Sequence, residues 1–433
     1  MTDSRVPRVL LLTHSKLQPY TGGGVLLNNL FHKFPREKLF FLHSDDNDGG
    51  GVVSQEYQLG LRALRPTFIA LLRLFGGFLF EAFRAPLSIR RLEIKSLVIQ
   101  GCHFRISNQL DTQIHLFRPE VIYAWVGDSI WARLLEHCAE RYQLPYVIHF
   151  MDNHVELSGR TVVERVLSRE FRSNLARVTK GASKIFTISA AMGLAYQDKF
   201  GKPFDIFHGL INRKSWPWPA SAKETGAFSL VFTGSIESGQ LSGLRDVADA
   251  VERLANEGHS VQLILYLTDH YERRARAAFK RFRCVKYRPH PDFDSLRSAL
   301  NDADLLVLAY GFEDACVQYY RYSFATKVVP YMLSGRCILA YGPASIEPIA
   351  YMQRGGCAHV VCDQDVEVLS ESIQLLMNAP GQREQLARSA YDAGVEEHDL
   401  ESNSGRFVNV LSNVAIAGKY IADIESRLEK KRD

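Results

Sequence analysis

The sequence has little cysteine: seven residues in 433, Cys102, Cys138, Cys284, Cys316, Cys337, Cys357 and Cys362, scattered and with no CxxC pair. That usage argues against a disulfide framework or a zinc ribbon and fits reduced thiols in a cytoplasmic protein. Charge of one sign is also lacking. Lys plus Arg total 52 against 48 Asp plus Glu, a formal +4, too mild a surplus to expect a nucleic-acid partner. No window holds 18 uninterrupted apolar residues, so no membrane-spanning helix is expected. The apolar run after Pro7-Arg8 is only four residues long, too short for the core of a secretory signal, and secretion is not expected. Neither GxGxxG nor GxxxxGK[ST] nor HExxH occurs, which removes the common dinucleotide, P-loop and zincin signatures.

What is present describes a soluble globular chain with 46% hydrophobic and 23% charged residues. At about 100–200 residues per domain, its length predicts two or three domains, of which two large ones are the starting expectation. Each half alternates short β-branched apolar runs with amphipathic stretches, the pattern of parallel sheets with crossover helices. Strands are expected at 8–14, 38–44, 121–126, 145–151, 184–189 and 204–209, with helices at 24–34, 128–143, 164–180 and 190–200. A second series predicts strands at 229–235, 261–267, 284–289, 304–310, 337–342 and 359–362, with helices near 241–257, 293–301, 324–334 and 366–378. Between them SWPWPASAKETG (215–226), with two prolines and two tryptophans, reads as a linker. The expected architecture is α/β: two doubly wound domains, 1–216 and 217–405, facing each other across a cleft at the carboxyl ends of their strands, with 406–433 as a C-terminal helix.

Gly22, Gly23 and Gly24 follow a strand-exit loop and precede VLLNNLFHKF, whose apolar residues suit one helix face. Glycines there let backbone N–H groups approach an anion at the positive end of the helix dipole, so a phosphate or pyrophosphate is one expected guest. A tight turn with close helix–sheet packing is the other reading.

The stretch ADLLVLAYGFEDACVQYYRYSFATKVVPYMLSGRCILAYGP (303–343) resembles the donor-binding region of retaining GT-B glycosyltransferases of family 4, with Ser323, Lys327, Tyr331, Gly335 and Cys337 to Ala340 matching its motif. Further matches run in the family's order: the amino-terminal glycine loop, GASKIFTISAAM (181–192), FTGSI (232–236) and ALNDADLLVL (299–308). The resemblance implies two Rossmann-like domains, a C-terminal helix crossing back to the first, and metal-independent transfer with retention from a nucleotide-sugar, which is substrate rather than cofactor. No metal or other cofactor is expected. Departures stand beside the matches. The family's paired glutamates fall on Tyr322 and Pro330, and two frequent phosphate-neutralising cations fall near Ser235 and Gln240. Donor contacts are therefore expected from Gly22, Gly23, Gly24, Gly234, Ser235, Glu313, Arg321, Ser323 and above all Lys327, whose fixed charge would stabilise a departing diphosphate.

PYVIHFMDNHVEL (145–157) places His149, Asp152, Asn153 and His154 at a strand end. His149 and Asp152 are the expected catalytic pair, orienting the sugar or the acceptor hydroxyl; a structural histidine and a zinc site are the competing readings. His14 is a further candidate by position. Residues 62–95 combine large apolar side chains, densest from Phe68 to Phe83, with arginines and a lysine, suiting either a packed face or a helical pair in the headgroup layer of an anionic leaflet. Together these features predict a cytoplasmic glycosyltransferase, peripheral at the inner membrane face, acting on a saccharide or lipid-linked acceptor in polysaccharide or glycolipid biosynthesis. A non-catalytic nucleotide-binding scaffold with the same shell is the alternative, and a sugar-nucleotide epimerase a third.

Overall fold

Runs such as Val9–Thr13, Val121–Trp125 and Tyr146–Phe150 are buried at every residue, which a strand achieves only when both faces of its sheet are covered. A computed structural model provides the structure, and residues 6–13, 22–43, 55–59, 64–66, 102–153, 162–219, 226–236 and 238–429 are described. The chain divides into two compact units, 1–207 with 402–433, and 208–401.

In unit 1 the strands are β1 (Val9–Thr13), β2 (Leu39–His43), β3 (Gln55–Gln58), β4 (Leu64–Pro66), β5 (Cys102–Phe104), β6 (Val121–Trp125), β7 (Tyr146–Phe150), β8 (Lys184–Thr187) and β9 (Phe204–Ile206). Seven of them form one parallel sheet in the order β3-β2-β1-β6-β7-β8-β9, and β4 pairs antiparallel with β5. The helices are α1 (Gly22–Leu30), α2 (Asn108–Phe117), α3 (Ser129–Tyr142), α4 (Val162–Gly181) and α5 (Ala190–Phe200). Short side chains start them: the Asp128 carboxylate accepts from Ile130 and Trp131 N–H, and the Ser189 hydroxyl oxygen from Met192 N–H, which satisfies amides that a helix leaves open at its first turn.

Unit 2 repeats the design with β10 (Phe228–Thr233), β11 (Val261–Leu267), β12 (Val285–Pro289), β13 (Leu305–Ala309), β14 (Cys337–Tyr341) and β15 (His359–Val361) in the parallel order β12-β11-β10-β13-β14-β15. Around them lie α6 (Ser238–Asn256), α7 (Asp269–Ala278), α8 (Phe293–Asn301), α9 (Asp314–Tyr320), α10 (Val328–Leu333), α11 (Glu347–Arg354), α12 (Val366–Asn378) and α13 (Pro380–Glu397). The stretch expected to be a linker is packed: Trp216 is buried, its carbonyl accepts from the Tyr391 hydroxyl at 2.9 Å, and Trp218 lies under the Arg388 guanidinium.

The last helix, α14 (Leu400–Glu429), returns to unit 1. Phe407 anchors it, with ring centroids 5.0 Å from Phe31, 5.1 Å from Phe207 and 5.8 Å from Tyr123. Gly418 lets the helix lie on Pro145, whose Cγ would be only 2.4 Å from an added Cβ. Among the described residues no helix is long and apolar enough to cross a membrane. The expectation for 62–95 lies outside the described residues except at β4, as do His14 and His154.

Candidate nucleotide site

In a doubly wound sheet, crossovers leave a crevice where the strand order reverses, at the carboxyl ends of the strands. In unit 2 that point lies between β10 and β13. Gly234, immediately after β10, has φ +107°, a conformation that L side chains rarely adopt, and its N–H donates to the Tyr266 carbonyl at 3.0 Å. The turn is held from beneath by Tyr331 of α10, whose hydroxyl oxygen accepts Thr233 N–H at 2.9 Å and lies 3.3 Å from Thr233 Oγ1.

Lys327 caps the N-terminus of α10 and reaches under this turn. Its Nζ lies 3.5 Å from where a Cβ on Gly234 would sit and 3.6 Å from the centre of the Phe232 ring. Although part of its stem is accessible, the nitrogen is out of solvent and has no hydrogen-bond partner among the described residues. Burial lowers its pKa well below the ordinary lysine value. The Phe232 ring attracts the ammonium weakly, by about 0.5–2 kcal/mol, far less than a phosphate would. His290, just beyond β12, also has a lowered pKa, through burial first and with Lys327 adding repulsion; its Nδ1 donates to the Pro291 carbonyl at 2.8 Å.

The other wall of the crevice is made of glycine contacts. Gly311 N–H, just past β13, donates to the Gly239 carbonyl at 2.6 Å, and Ser242 Oγ donates to Glu313 Oε2 at 3.0 Å. An added Cβ on Gly239 would lie 2.7 Å from Cys316 Sγ.

Of the residues expected to bind the donor, Gly234, Ser235, Glu313, Arg321, Ser323 and Lys327 all belong to unit 2. Ser235, Glu313 and Arg321 are exposed, and the Ser323 hydroxyl is spent on the Tyr319 carbonyl at 3.0 Å. Lys327 does not lie within a helix at 324–334 as expected; helix starts only at Val328, and residues 321–327 stay irregular. Phe232 and the Gly239–Gly311 contact were not anticipated as parts of a site, and Tyr331, although matched to the donor-region motif, was given no role in it. Tyr331 had a legible signal in that match, which places it four residues after Lys327.

Unit 1 corrects two expectations. Gly22, Gly23 and Gly24 form the first turn of α1 rather than a loop before it, and a Cβ on Gly23 would lie 2.4 Å from the Trp125 indole. Close helix–sheet packing therefore accounts for Gly23. His149 does not line an opening. It is 1% exposed; Tyr123 O–H donates to its Nδ1 at 2.6 Å, and its Nε2–H donates to the Phe207 carbonyl at 3.0 Å. With both nitrogens committed, and burial lowering its pKa to about 3, it is a neutral core histidine and not a catalytic base. The residues past the strand end fare differently: Asp152 is half-buried, and buried Asn153 meets Tyr196 Oη at 3.4 Å. Among the described residues no three His, Cys, Asp or Glu side chains converge as metal ligands.

The core role of His149 makes two checkable predictions. His149→Ala leaves the Tyr123 hydroxyl and the Phe207 carbonyl without a partner and opens a cavity, so urea unfolding should show a loss of about 2–4 kcal/mol. Because the folded pKa lies below the unfolded value, the folded state binds fewer protons, and the histidine's contribution to stability should fade as pH falls from 6.5 toward 3.

Comparison with solved structures gives matches over most of the chain. HepE of Anabaena, in complex with UDP and glucose, superposes with a TM-score of 0.64 at 13% identity, covering 94% of this chain and 99% of that one. Sucrose-phosphate synthase from Thermosynechococcus elongatus gives 0.67 at 12% identity, covering 95% and 100%. The α,α-trehalose 6-phosphate synthase of Burkholderia multivorans gives 0.61 at 12% identity, covering 96% and 99%. The chain has the GT-B fold. No family model and no curated sequence matches it. Within that fold unit 2 holds the second Rossmann-like sheet, with its switch point at Gly234 and Gly311.

Proposed function

We propose that this GT-B protein is a glycosyltransferase that takes a sugar from a nucleoside diphosphate donor bound on unit 2 and passes it, with retention, to a hydroxyl of a saccharide or lipid-linked acceptor. One observation carries the proposal: a lysine nitrogen removed from water beneath a positive-φ glycine at the carboxyl end of β10, with an aromatic ring beside it and no hydrogen-bond partner among the described residues. Burying a cation unpaired is costly, and a diphosphate arriving at Gly234 would supply the missing countercharge. In the transition state the leaving diphosphate gains charge, and Lys327, already in place, would stabilise it there without reorganisation. Support comes from HepE, whose solved complexes contain UDP with glucose and UDP-glucose.

The proposal includes metal-independent turnover, so transfer should survive EDTA. It also includes work at the cytoplasmic membrane face in polysaccharide or glycolipid assembly, which flotation with anionic vesicles tests. A thermal-shift screen with UDP, GDP, dTDP and CMP and their sugars should raise the melting temperature for one nucleotide class. If calorimetry finds no binding of any of them at millimolar ligand, the proposal fails. Binding without transfer or donor hydrolysis would favour a non-catalytic scaffold, a reading kept because Ser235 and Gln240 stand where the resemblance places cations.

The pH dependence follows from the same nitrogen. A bound diphosphate raises the Lys327 pKa from its lowered free value, so above that value binding must take up a proton. Affinity for the donor should then fall as pH rises, by up to tenfold per unit. Calorimetry in buffers of different ionisation enthalpy should register uptake approaching one proton; no uptake at any pH contradicts the assignment.

A further inference from the structure

The small net charge of +4 hides a local excess. Residues 269–290 carry eight lysines and arginines against two carboxylates, Asp269 and Glu272, so this stretch alone exceeds the surplus of the entire chain. It comprises α7, the turn after it, and β12, which pairs only with β11 and forms one edge of the unit 2 sheet. All eight cations are exposed, while Ala275, Phe279 and Val285 are buried beneath them.

Only part of this charge is met within the protein. Arg276 pairs with Glu272 at 2.6 Å and lies over the Tyr287 ring at 4.4 Å, and Arg281 pairs with Asp249 of α6 at 2.7 Å. Arg273, Lys280, Lys286 and Arg288 make no ion pair among the described residues. Charges on an edge strand do serve to keep it from pairing with the edge of a second copy. Lys286, Arg288 and Pro289 suffice for that, and they exclude a second copy as the occupant, because joining two β12 edges would set cation against cation. Edge protection does not account for Arg273 and Lys280, which lie off the strand on α7 and in the turn after it.

We propose that the outer side of α7 and the β12 edge form an electrostatic docking surface for the anionic headgroups of a lipid leaflet. A single nucleic-acid strand is held in a basic groove with aromatic side chains on which bases stack. Here the cations are spread over a helix, a turn and a strand edge, the Tyr287 ring is covered by Arg276, and none of the exposed large apolar side chains of the described residues falls within 269–290. A leaflet is a broad sheet of negative charge and asks only for exposed cations brought within a Debye length of it. The same lack of exposed apolar side chains means that this surface inserts nothing into the acyl region, so docking through it is reversible and sensitive to salt.

This inference deepens the membrane part of the proposed function, and it rests on that part alone, since docking requires no sugar transfer. It also assigns the contact to unit 2 and not to residues 62–95, which gives it an outcome of its own.

The test is flotation of the full chain with vesicles of phosphatidylglycerol in phosphatidylcholine, set against vesicles of phosphatidylcholine alone. The wild type should float with the first and not with the second, and it should be released as salt shortens the Debye length from about 10 Å at 0.1 M to about 3 Å at 1 M. The triple variant Arg273→Gln, Lys280→Gln, Lys286→Gln removes three exposed cations that make no ion pair. It should bind the anionic vesicles about 100-fold more weakly, about fivefold for each cation, with the melting temperature and UDP affinity of the wild type. A triple variant that floats as the wild type does overturns the proposal, and that is the result if residues 62–95 do the docking. Wild-type protein that floats with neither vesicle, floats equally with both, or binds single-stranded DNA while ignoring vesicles overturns it as well. Vesicle binding is read without nucleotide and UDP affinity without vesicles, so failure of docking is distinguishable from failure of the nucleotide site.

Discussion

Lys327→Met should melt at a higher temperature than the wild type and bind nucleoside diphosphates about 100-fold more weakly. The two effects have one origin. The Lys327 nitrogen is out of solvent with no hydrogen-bond partner among the described residues and only the Phe232 ring against it, and leaving such a group unsatisfied costs about 1–3 kcal/mol. Methionine has nearly the same length, keeps an apolar stem on Phe232, and replaces the amine with a thioether that packs well against aromatic rings. For a domain of this size each kcal/mol regained corresponds to about 2–4 °C. The same substitution removes the cation from the crevice at Gly234. A charge-assisted hydrogen bond to phosphate contributes about 1.5–3 kcal/mol, which converts to about 10- to 150-fold in affinity. A residue kept only for structure would show both quantities moving down together. Differential scanning fluorimetry and UDP calorimetry on the one variant separate the cases, and a lowered melting point with unchanged UDP affinity would remove Lys327 from the site.

That trade of stability for binding was only partly readable before the structure. The strands were legible because parallel strands covered on both faces must be apolar throughout, and eleven-residue alternations are unnecessary to recognise VLLLT or LLVLA. The same fact explains the error at His149. In a strand buried on both sides neither face is an exposed one, so a polar side chain inside the run YVIHF sits in core whichever way it points, and only residues past Phe150 reach the rim. β3 was missed because Gln55–Gln58 is a largely exposed edge strand with no apolar pattern. Helix α13 was missed as an element of the fold because small and polar residues dilute its apolar face, whereas the C-terminal helix expected at 406–433 is α14, which starts earlier, at Leu400. Gly22 to Gly24 were placed before α1 on the rule that glycine weakens helices; the Trp125 indole, contributed from a strand distant in sequence, is what requires Gly23 inside the first turn. Lys327 was found through its motif, but the removal of its nitrogen from water, with no hydrogen-bond partner among the described residues, is a property of packing that no spacing encodes.

Gly243→Ala should be the most destabilising single-methyl change in unit 2 among the glycines without positive φ, and it should also weaken nucleotide binding. A Cβ there would lie 2.6 Å from the carbonyl carbon and oxygen of Tyr310 and 2.8 Å from its nitrogen. All three are backbone atoms at the end of β13, a strand held on both sides by β10 and β14, so the neighbour cannot rotate away as a side chain would. Relief must come from α6, whose first turns would be pushed off the sheet. Those turns carry the Gly239 carbonyl that receives Gly311 N–H and the Ser242 hydroxyl that donates to Glu313, so one methyl disturbs the strain-free packing and the wall of the crevice together. Overpacking of this kind costs about 1–3 kcal/mol and occasionally more, and the loss of the Gly311 contact places this case at the upper end. The control is Gly381→Ala in the first turn of α13, where an added Cβ meets nothing within 4 Å and alanine should stabilise by up to about 1 kcal/mol. The same chemical change should thus have opposite signs at two helical glycines of one unit. Urea unfolding of both variants, with UDP affinity measured on each below its transition, checks this; a Gly243→Ala protein as stable as the wild type would mean that α6 and β13 do not meet as described, and the crevice would lose its wall.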